Sequence, residues 1–242
     1  MEEFIKKIKD LSNRSYEKNI LTHTSFLTPT ERQVVLNNTN GANVLTFGGN
    51  ETCERTIAFF LPDYMEEVCY DEYITVFKAD FSFRKLSHRD FLGALLALGI
   101  ERRCVGDIFV FENSAYFFVT KDIENYIKSN FDRVGNVGIK LGTVDFSDVK
   151  VREPKFEEIN FTVASLRLDS AVAGAIKESR EKANNIIKSG SVLLNYLECL
   201  NVSCDVKEND VFSVKGYGKF LVSNVGGVSR RGKIFVELRK FV

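Results

Sequence analysis

Ser179-Arg180-Glu181-Lys182-Ala183-Asn184-Asn185-Ile186-Ile187-Lys188-Ser189-Gly190-Ser191-Val192-Leu193-Leu194-Asn195 holds a complete helix, its stop and the start of a strand. Ser179 is placed to cap the helix by accepting a backbone N–H, and Glu181 suits the positive end of the helix dipole. Ala183, Ile186 and Ile187 form an inward face, and Gly190 supplies a left-handed C-terminal stop. Upstream, Leu168, Val172 and Ile176 recur every four residues and mark the buried stripe of a preceding helix. Downstream, short strands are expected around 211–214, 219–225 and 233–240. Residues 164–242 therefore read as one small unit, two helices followed by strands.

The same stretch carries chemistry. Arg180, Asn184 and Lys188 are spaced i, i+4, i+8 and make one polar stripe beside the buried face. A helix with such a row of long donors can lie along an RNA backbone. Arg167, Ser179, Lys182, Lys215 and Lys219 extend the candidate patch, and Arg230-Arg231-Gly232-Lys233 adds a basic turn. Such contacts are indifferent to sequence and sensitive to salt, because binding releases counterions from phosphates. The overall net charge of +0 hides a split. Residues 164–242 hold 13 Lys and Arg against 8 Asp and Glu, while residues 1–163 hold 20 against 25. A phosphate-binding module on a mildly acidic body has this balance.

Arg-Leu-Asp at 167–169, Ser-Arg-x-x-Ala at 179–183, Ile-x-x-Gly-x-Val-x-x-Asn at 187–195, and Asp210 before Val211-Phe212-Ser213-Val214 together resemble the S4 RNA-binding domain. The resemblance spans residues 166–220 and makes RNA the expected partner. It departs at one point: the family has Gly after the turn Asn, and here Tyr196 follows Asn195. A two-residue type I′ turn disfavours Tyr. The loop is therefore expected to be longer or differently twisted, which bears on base contact by Asn195.

Outside this unit, helices are expected over 2–20 and 29–40, the second with Thr28 as N-cap and Pro29 at its first position. Strands are expected over 44–47 and 56–61. Residues 73–144 then read strand (73–81), helix (87–98), hairpin (108–112 and 116–119), helix (121–130) and strand (137–144). That order is the ferredoxin-like plan that RNA-recognition folds also use. Residues 145–163, with Glu153-Pro154, read as a connector. The expected class is α+β: an N-terminal helical and strand segment (1–72), a ferredoxin-like, RRM-like middle (73–150) and a C-terminal S4 domain (164–242).

A second resemblance lies in the middle. Phe47-Gly48-Gly49 with Glu54-Arg55, the run from Lys85 to Arg103, and Gly106-Asp107-Ile108, taken with a C-terminal S4 unit, look like the YlmH family of bacterial S4 proteins over nearly the whole length. That resemblance implies no catalysis. It implies association with the large ribosomal subunit carrying a stalled peptidyl-tRNA in ribosome-associated quality control, with rRNA and tRNA as partners; older descriptions place the family near cell division. His88 and Arg89 stand at a helix start, where exposed donors and the dipole favour anions. Arg84, Lys85, Arg102 and Arg103 flank that helix and complete a candidate second RNA patch.

Other classes are weakened by what is missing. The five cysteines are odd in number and form no CxxC pair, and the two histidines are far apart, so neither a metal site, a cofactor nor a disulfide framework is expected. With 44% hydrophobic and 27% charged residues, no run of 18 apolar residues and no signal-peptide order at Met1-Glu2-Glu3-Phe4-Ile5-Lys6-Lys7, a cytosolic protein is expected. His88-Arg89-Asp90 imitates a kinase catalytic loop, but Leu95 stands where the metal-holding Asn belongs. Arg167-Leu168-Asp169 imitates a pseudouridine synthase motif, yet it belongs to the S4 unit itself, and Asp169 reads as a first-turn helix acid. No dinucleotide or P-loop glycine spacing occurs. The expectation is non-catalytic binding of structured RNA. The rivals are an RNA-modifying enzyme with a deep acid-lined cleft in residues 1–160, and a division adaptor with surface-facing phenylalanines on the middle domain.

Overall fold

Helix α1 (Glu2–Lys18) forms because Ile8, Ser12 and Ser15 recur on one buried face, with Phe4 and Leu11 packed beside them. This computed structural model describes residues 2–39, 42–82, 85–151, 155–229 and 232–242. The chain divides into two units, Met1–Arg152 and Glu153–Val242. Arg84, Arg230, Arg231 and the Glu153-Pro154 pair lie outside the described residues.

In the first unit, β1 (Thr22–His23) is followed by α2 (Pro29–Leu36), β2 (Asn43–Phe47) and β3 (Ile57–Leu61). Helix α2 starts with a capping box, in which Glu31 accepts from the Thr28 N–H at 2.7 Å and Thr28 Oγ1 accepts from the Glu31 N–H at 3.3 Å. The three strands make one antiparallel sheet in the order β1-β3-β2.

Next come β4 (Ile74–Asp80), α3 (His88–Ala97), β5 (Val105–Val110), β6 (Ser114–Thr120) and α4 (Glu124–Asn130). The single strand expected over 137–144 is divided. Residues Arg133–Val134 (β7) and Val137–Gly138 (β8) form a tiny hairpin, and only Lys140–Val144 (β9) joins the main sheet, beside β4. Gly135, at a φ of +59°, makes that extra turn without strain. The main sheet runs β5-β6-β4-β9, all antiparallel.

Both faces of this sheet are buried, which explains the unbroken apolar run at 115–119 in β6 and the apolar residues on both faces of β4 at Ile74, Val76 and Phe77. Phe77, Ala79, Ala115, Phe117 and Val119 pack against Phe91 and Leu95 of α3 and Ile127 of α4. Ile74, Val76, Tyr116 and Phe118, on the other face, pack against Phe26, Ile57, Phe59 and Leu61 of the N-terminal segment.

The second unit opens with a correction. Residues 156–163, expected as connector, form the eight-residue strand β10 (Phe156–Val163), paired along its length with the last strand. Ile159, Phe161 and Val163 alternate with Glu158, Asn160 and Thr162, a period of two that reads as a half-buried strand. Helices α5 (Leu168–Ile176) and α6 (Arg180–Lys188) follow. Strands β11 (Val192–Leu194), β12 (Leu197–Glu198), β13 (Val211–Val214), β14 (Gly218–Val228) and β15 (Ile234–Phe241) complete an antiparallel sheet in the order β10-β15-β14-β13-β11-β12. Leu168, Val172, Ala183 and Ile187 cover one face of it through Phe212, Phe220, Val222, Val236 and Leu238.

The turn after β11 also differs from expectation. Leu194 pairs with Leu197, so the loop is two residues long, and Asn195 and Tyr196 both have positive φ, +47° and +65°. Type I′ geometry is therefore adopted despite Tyr, because tertiary contacts hold it. The Asn195 amide donates to Asp210 Oδ1 at 2.9 Å and accepts from the Val211 N–H at 3.0 Å, while the Tyr196 ring lies 4.9 Å from Lys219 Nζ. The Asn and the later Asp of the sequence signature thus meet each other.

Candidate nucleic-acid interface

The entry to α5 is clasped by the loop of residues 201–206. Cys204 O accepts from the Leu168 N–H at 2.8 Å, Val202 O from the Asp169 N–H at 3.1 Å, and Leu166 O from the Val206 N–H at 3.2 Å. These bonds fix Asp169 in a buried position. Its Oδ2 accepts from Arg180 Nη2 at 2.6 Å and from Arg167 Nη2 at 3.1 Å, and its Oδ1 accepts from the Ser170 N–H at 2.8 Å. Burial pushes the Asp169 carboxyl up, but the hydrogen bonds from Arg167 and then Arg180 outweigh it and hold the group below its ordinary value.

Asp169 is thus more than a first-turn acid. Its side chain is 3% exposed, whereas Arg167 and Arg180 remain 38% and 55% exposed. One buried charge holds two guanidinium groups whose side chains stay partly exposed. Lys177, in the left-handed region at a φ of +56°, turns the chain sharply between the helices. Ser179 Oγ then caps α6 by accepting from the Lys182 N–H at 3.2 Å, which makes Ser179 a structural residue here.

Along α6, Lys188 is exposed and Asn184 half-buried, with no protein partner for its Oδ1 among the described residues. Lys182 is paired with Glu178 at 2.6 Å. Lys215 lies beside the end of α6, its N–H donating to Ser191 O at 2.9 Å. Arg167, Arg180, Lys182, Lys188 and Lys215 are therefore carried by α5, α6 and the turn next to them. Lys219 is not brought to them. Its neighbour Phe220 points into the helix-covered core, so Lys219 stands on the opposite face of the sheet, between the Tyr196 and Phe241 rings at 4.9 and 4.8 Å. The Asn195 amide is engaged within its own loop, as described above.

In the first unit the second set of cations divides. Lys85 and Arg89 are exposed at the start of α3, where Ser87 and Asp90 form a capping box. The protonated form of His88 is disfavoured, first by partial burial and then by Arg102. Arg102 turns inward, donating to Val105 O and to Gly106 O, and Arg103 pairs with Glu101 at 2.8 Å.

The quoted middle motifs form a joint. Asp107 accepts from the Glu54 and Arg55 N–H groups at 2.5 and 3.1 Å, and Arg55 donates to Val105 O and Phe26 O at 3.1 and 3.0 Å. A Cβ on Gly49 would stand 2.2 Å from the Phe118 ring, and one on Gly106 2.8 Å from the Phe26 ring. These glycines let the N-terminal segment close over the main sheet. That closure has a functional consequence. The sheet face on which an RNA-recognition fold stacks bases is buried under β3 and its neighbours. Nucleic acid approaching the middle domain must use its helices, loops or edges instead.

A family profile described as "Putative RNA-binding domain in YlmH" matches residues 70–148, the segment that holds this sheet. The ribosome-associated protein quality control protein P2 of Bacillus subtilis (strain 168) is 30% identical over 214 residues, covering 87% of this chain and 83% of that protein. The chain belongs to the YlmH family. Cell division protein ylmH from Streptococcus pneumoniae matches in structure with a TM-score of 0.54 at 20% identity, over 61% of this chain and 92% of that one. This second likeness shows shared fold, consistent with the mixed helices and antiparallel sheets described above. As for membranes, no helix among the described residues is long and apolar enough to cross one.

Proposed function

We propose that this YlmH-family chain binds structured RNA on the large ribosomal subunit without catalysing a reaction, as part of the handling of stalled peptidyl-tRNA in the cytoplasm. The observation that carries the reading is the buried Asp169 carboxylate holding the partly exposed Arg167 and Arg180 side by side at the α5–α6 face. Guanidinium groups ordered in advance bind phosphate at lower entropic cost than free side chains. The RNA-binding family profile and the ribosome-associated Bacillus subtilis relative support RNA and the ribosome as partners. Two helices against an antiparallel sheet support the S4 reading of the second unit. The strand-helix-strand-strand-helix-strand order, with the first strand lying between the third and fourth, supports a ferredoxin-like middle.

Neither rival gains from the structure. A groove of about 880 Å³ in the first unit is lined by Lys85, His88 and Glu112 and, among the described residues, brings no pair of carboxylates together. Among the described residues of the middle domain, no phenylalanine is exposed. Co-sedimentation with large subunits tests the proposal. Arg180→Glu would set a second carboxylate beside Asp169, so Arg180→Gln with Lys188→Glu is the cleaner variant. It is expected to lower co-sedimentation at least tenfold at moderate salt with folding intact. Unchanged co-sedimentation would overturn the proposal.

A further inference from the structure

A second charged surface lies in the first unit. Helix α3 packs against the β7–β8 hairpin and leaves a groove of about 690 Å³ between them. Small residues open its helix side, since Gly93 and Ala97 lie one turn apart on α3 and a Cβ built on Gly93 would meet nothing within 4 Å, while Leu86, Leu98, Phe131, Val134 and Val137 line the rest. Its rim is cationic, with Lys85 and Arg89 from the start of α3 and Arg133 from the hairpin. The acid of the rim, Asp90, is turned back to the helix cap, accepting from the Ser87 N–H at 2.8 Å and the Ser87 hydroxyl at 2.7 Å. Arg133 has only a loose contact with Asp132, at 3.9 Å between two well-exposed side chains. Among the described residues, Lys85 and Arg89 have no ion-pair partner.

Three cations along the rim of an open groove suit a polyanion lying along it. The buried sheet face removes base stacking on the sheet as the alternative. We infer that this groove is a binding site for the sugar–phosphate backbone of an RNA strand, with Lys85, Arg89 and Arg133 contacting phosphates. The inference rests on the RNA-binding reading above and gives the first unit its own part in it. Arg133 and the open groove had no place among the residues singled out in the sequence, because the hairpin that carries Arg133 was not legible there.

The test uses the full chain and fluorescent dodecameric polyuridine, with Arg89→Glu/Arg133→Glu compared against Arg180→Gln/Lys188→Glu. Both residues of the first pair are exposed, and an unchanged melting temperature checks that the variant folds. The expected result is about tenfold weaker binding for the groove variant. The slope of log affinity against log salt should become shallower by about 1.4, the loss of two single-strand phosphate contacts. A photoreactive residue at Ala97 should crosslink to the polyuridine, and excess inorganic phosphate should not compete. Competition by phosphate at comparable concentration would overturn the strand assignment in favour of a small-anion site. If only the α6 variant weakens binding and Ala97 gives no adduct, the groove assignment falls while the proposed function stands. If neither variant changes binding, both fall.

Discussion

Replacing Asp169 by Asn sets two opposite effects against each other. The shape is nearly unchanged, and Oδ1 can still accept from the Ser170 N–H now at 2.8 Å. An amide nitrogen, however, then faces the Arg180 and Arg167 Nη2 atoms that sit 2.6 and 3.1 Å from Oδ2. Hydrogen bonds to a charged group contribute about 1.5–3 kcal/mol each. Both arginines are partly exposed, and water replaces part of that, so the expected loss is about 1–3 kcal/mol. It should appear as a fall of at least roughly 4 °C in the melting temperature of the second unit. The held-down carboxyl stabilises the fold above the ordinary Asp range, and that stabilisation disappears as pH falls through its depressed folded value. The variant should therefore lose this part of the acid sensitivity. For RNA, removing a negative charge favours binding, whereas two unpinned arginines must be ordered again, at roughly 0.5–1.5 kcal/mol each. If pinning is what matters, affinity falls by roughly 5–150-fold, measured by anisotropy with large-subunit RNA and by co-sedimentation. Equal or tighter binding would refute the pinning role and leave Asp169 as a mere counter-charge.

Gly49→Ala combines a φ of +104° with a Cβ 2.2 Å from the Phe118 ring, so it should destabilise the first unit by about 3 kcal/mol or more in denaturant unfolding. Arg102→Ala removes one of two side-chain donors to the Val105 carbonyl and the Arg102 bond to the Gly106 carbonyl, and should lower the melting temperature while RNA affinity, compared at a temperature where the variant is folded, stays within about twofold. Glu124 is held down to about 2, first by Lys121 and next by Lys128. The stability this gives is complete above about pH 4.5 and lost as pH falls toward 2. Because both lysines are well exposed, Glu124→Gln should cost only about 1 kcal/mol at pH 7, and that cost should shrink as pH falls through about 2.

The second unit was the more legible because its signals are local. Ser179 caps α6 and Gly190 stands just past its end at a φ of +72°, as their positions in the sequence indicate. Strand β10 was missed although Ile159, Phe161 and Val163 alternate, because the acidic start of the strand resembles a linker. The Asn195-Tyr196 turn was misread because local preference disfavours Tyr at positive φ, while the bonds of Asn195 to Asp210 and Val211 come from residues far along the chain. The clamp at Asp169 was invisible for a similar reason: which cations one acid collects depends on how two helices pack. In the middle domain, the strands expected at 73–81 and 116–119 are β4 and β6, yet nothing in their residues told which face would be covered. That Phe59 and its neighbours close the stacking face is a tertiary fact, and it moves the candidate RNA contacts from the sheet to its surroundings.

Ultraviolet crosslinking of the full chain to RNA in cells, with nucleotide adducts mapped to peptides, tests most directly whether the α5–α6 face grips RNA. Adducts are expected on residues 167–188, concentrated at Arg180 and Lys188 and depleted in the Asp169→Asn variant. Adducts confined to other surfaces, with that segment reproducibly bare, would contradict an arginine pair aimed at RNA from the second unit.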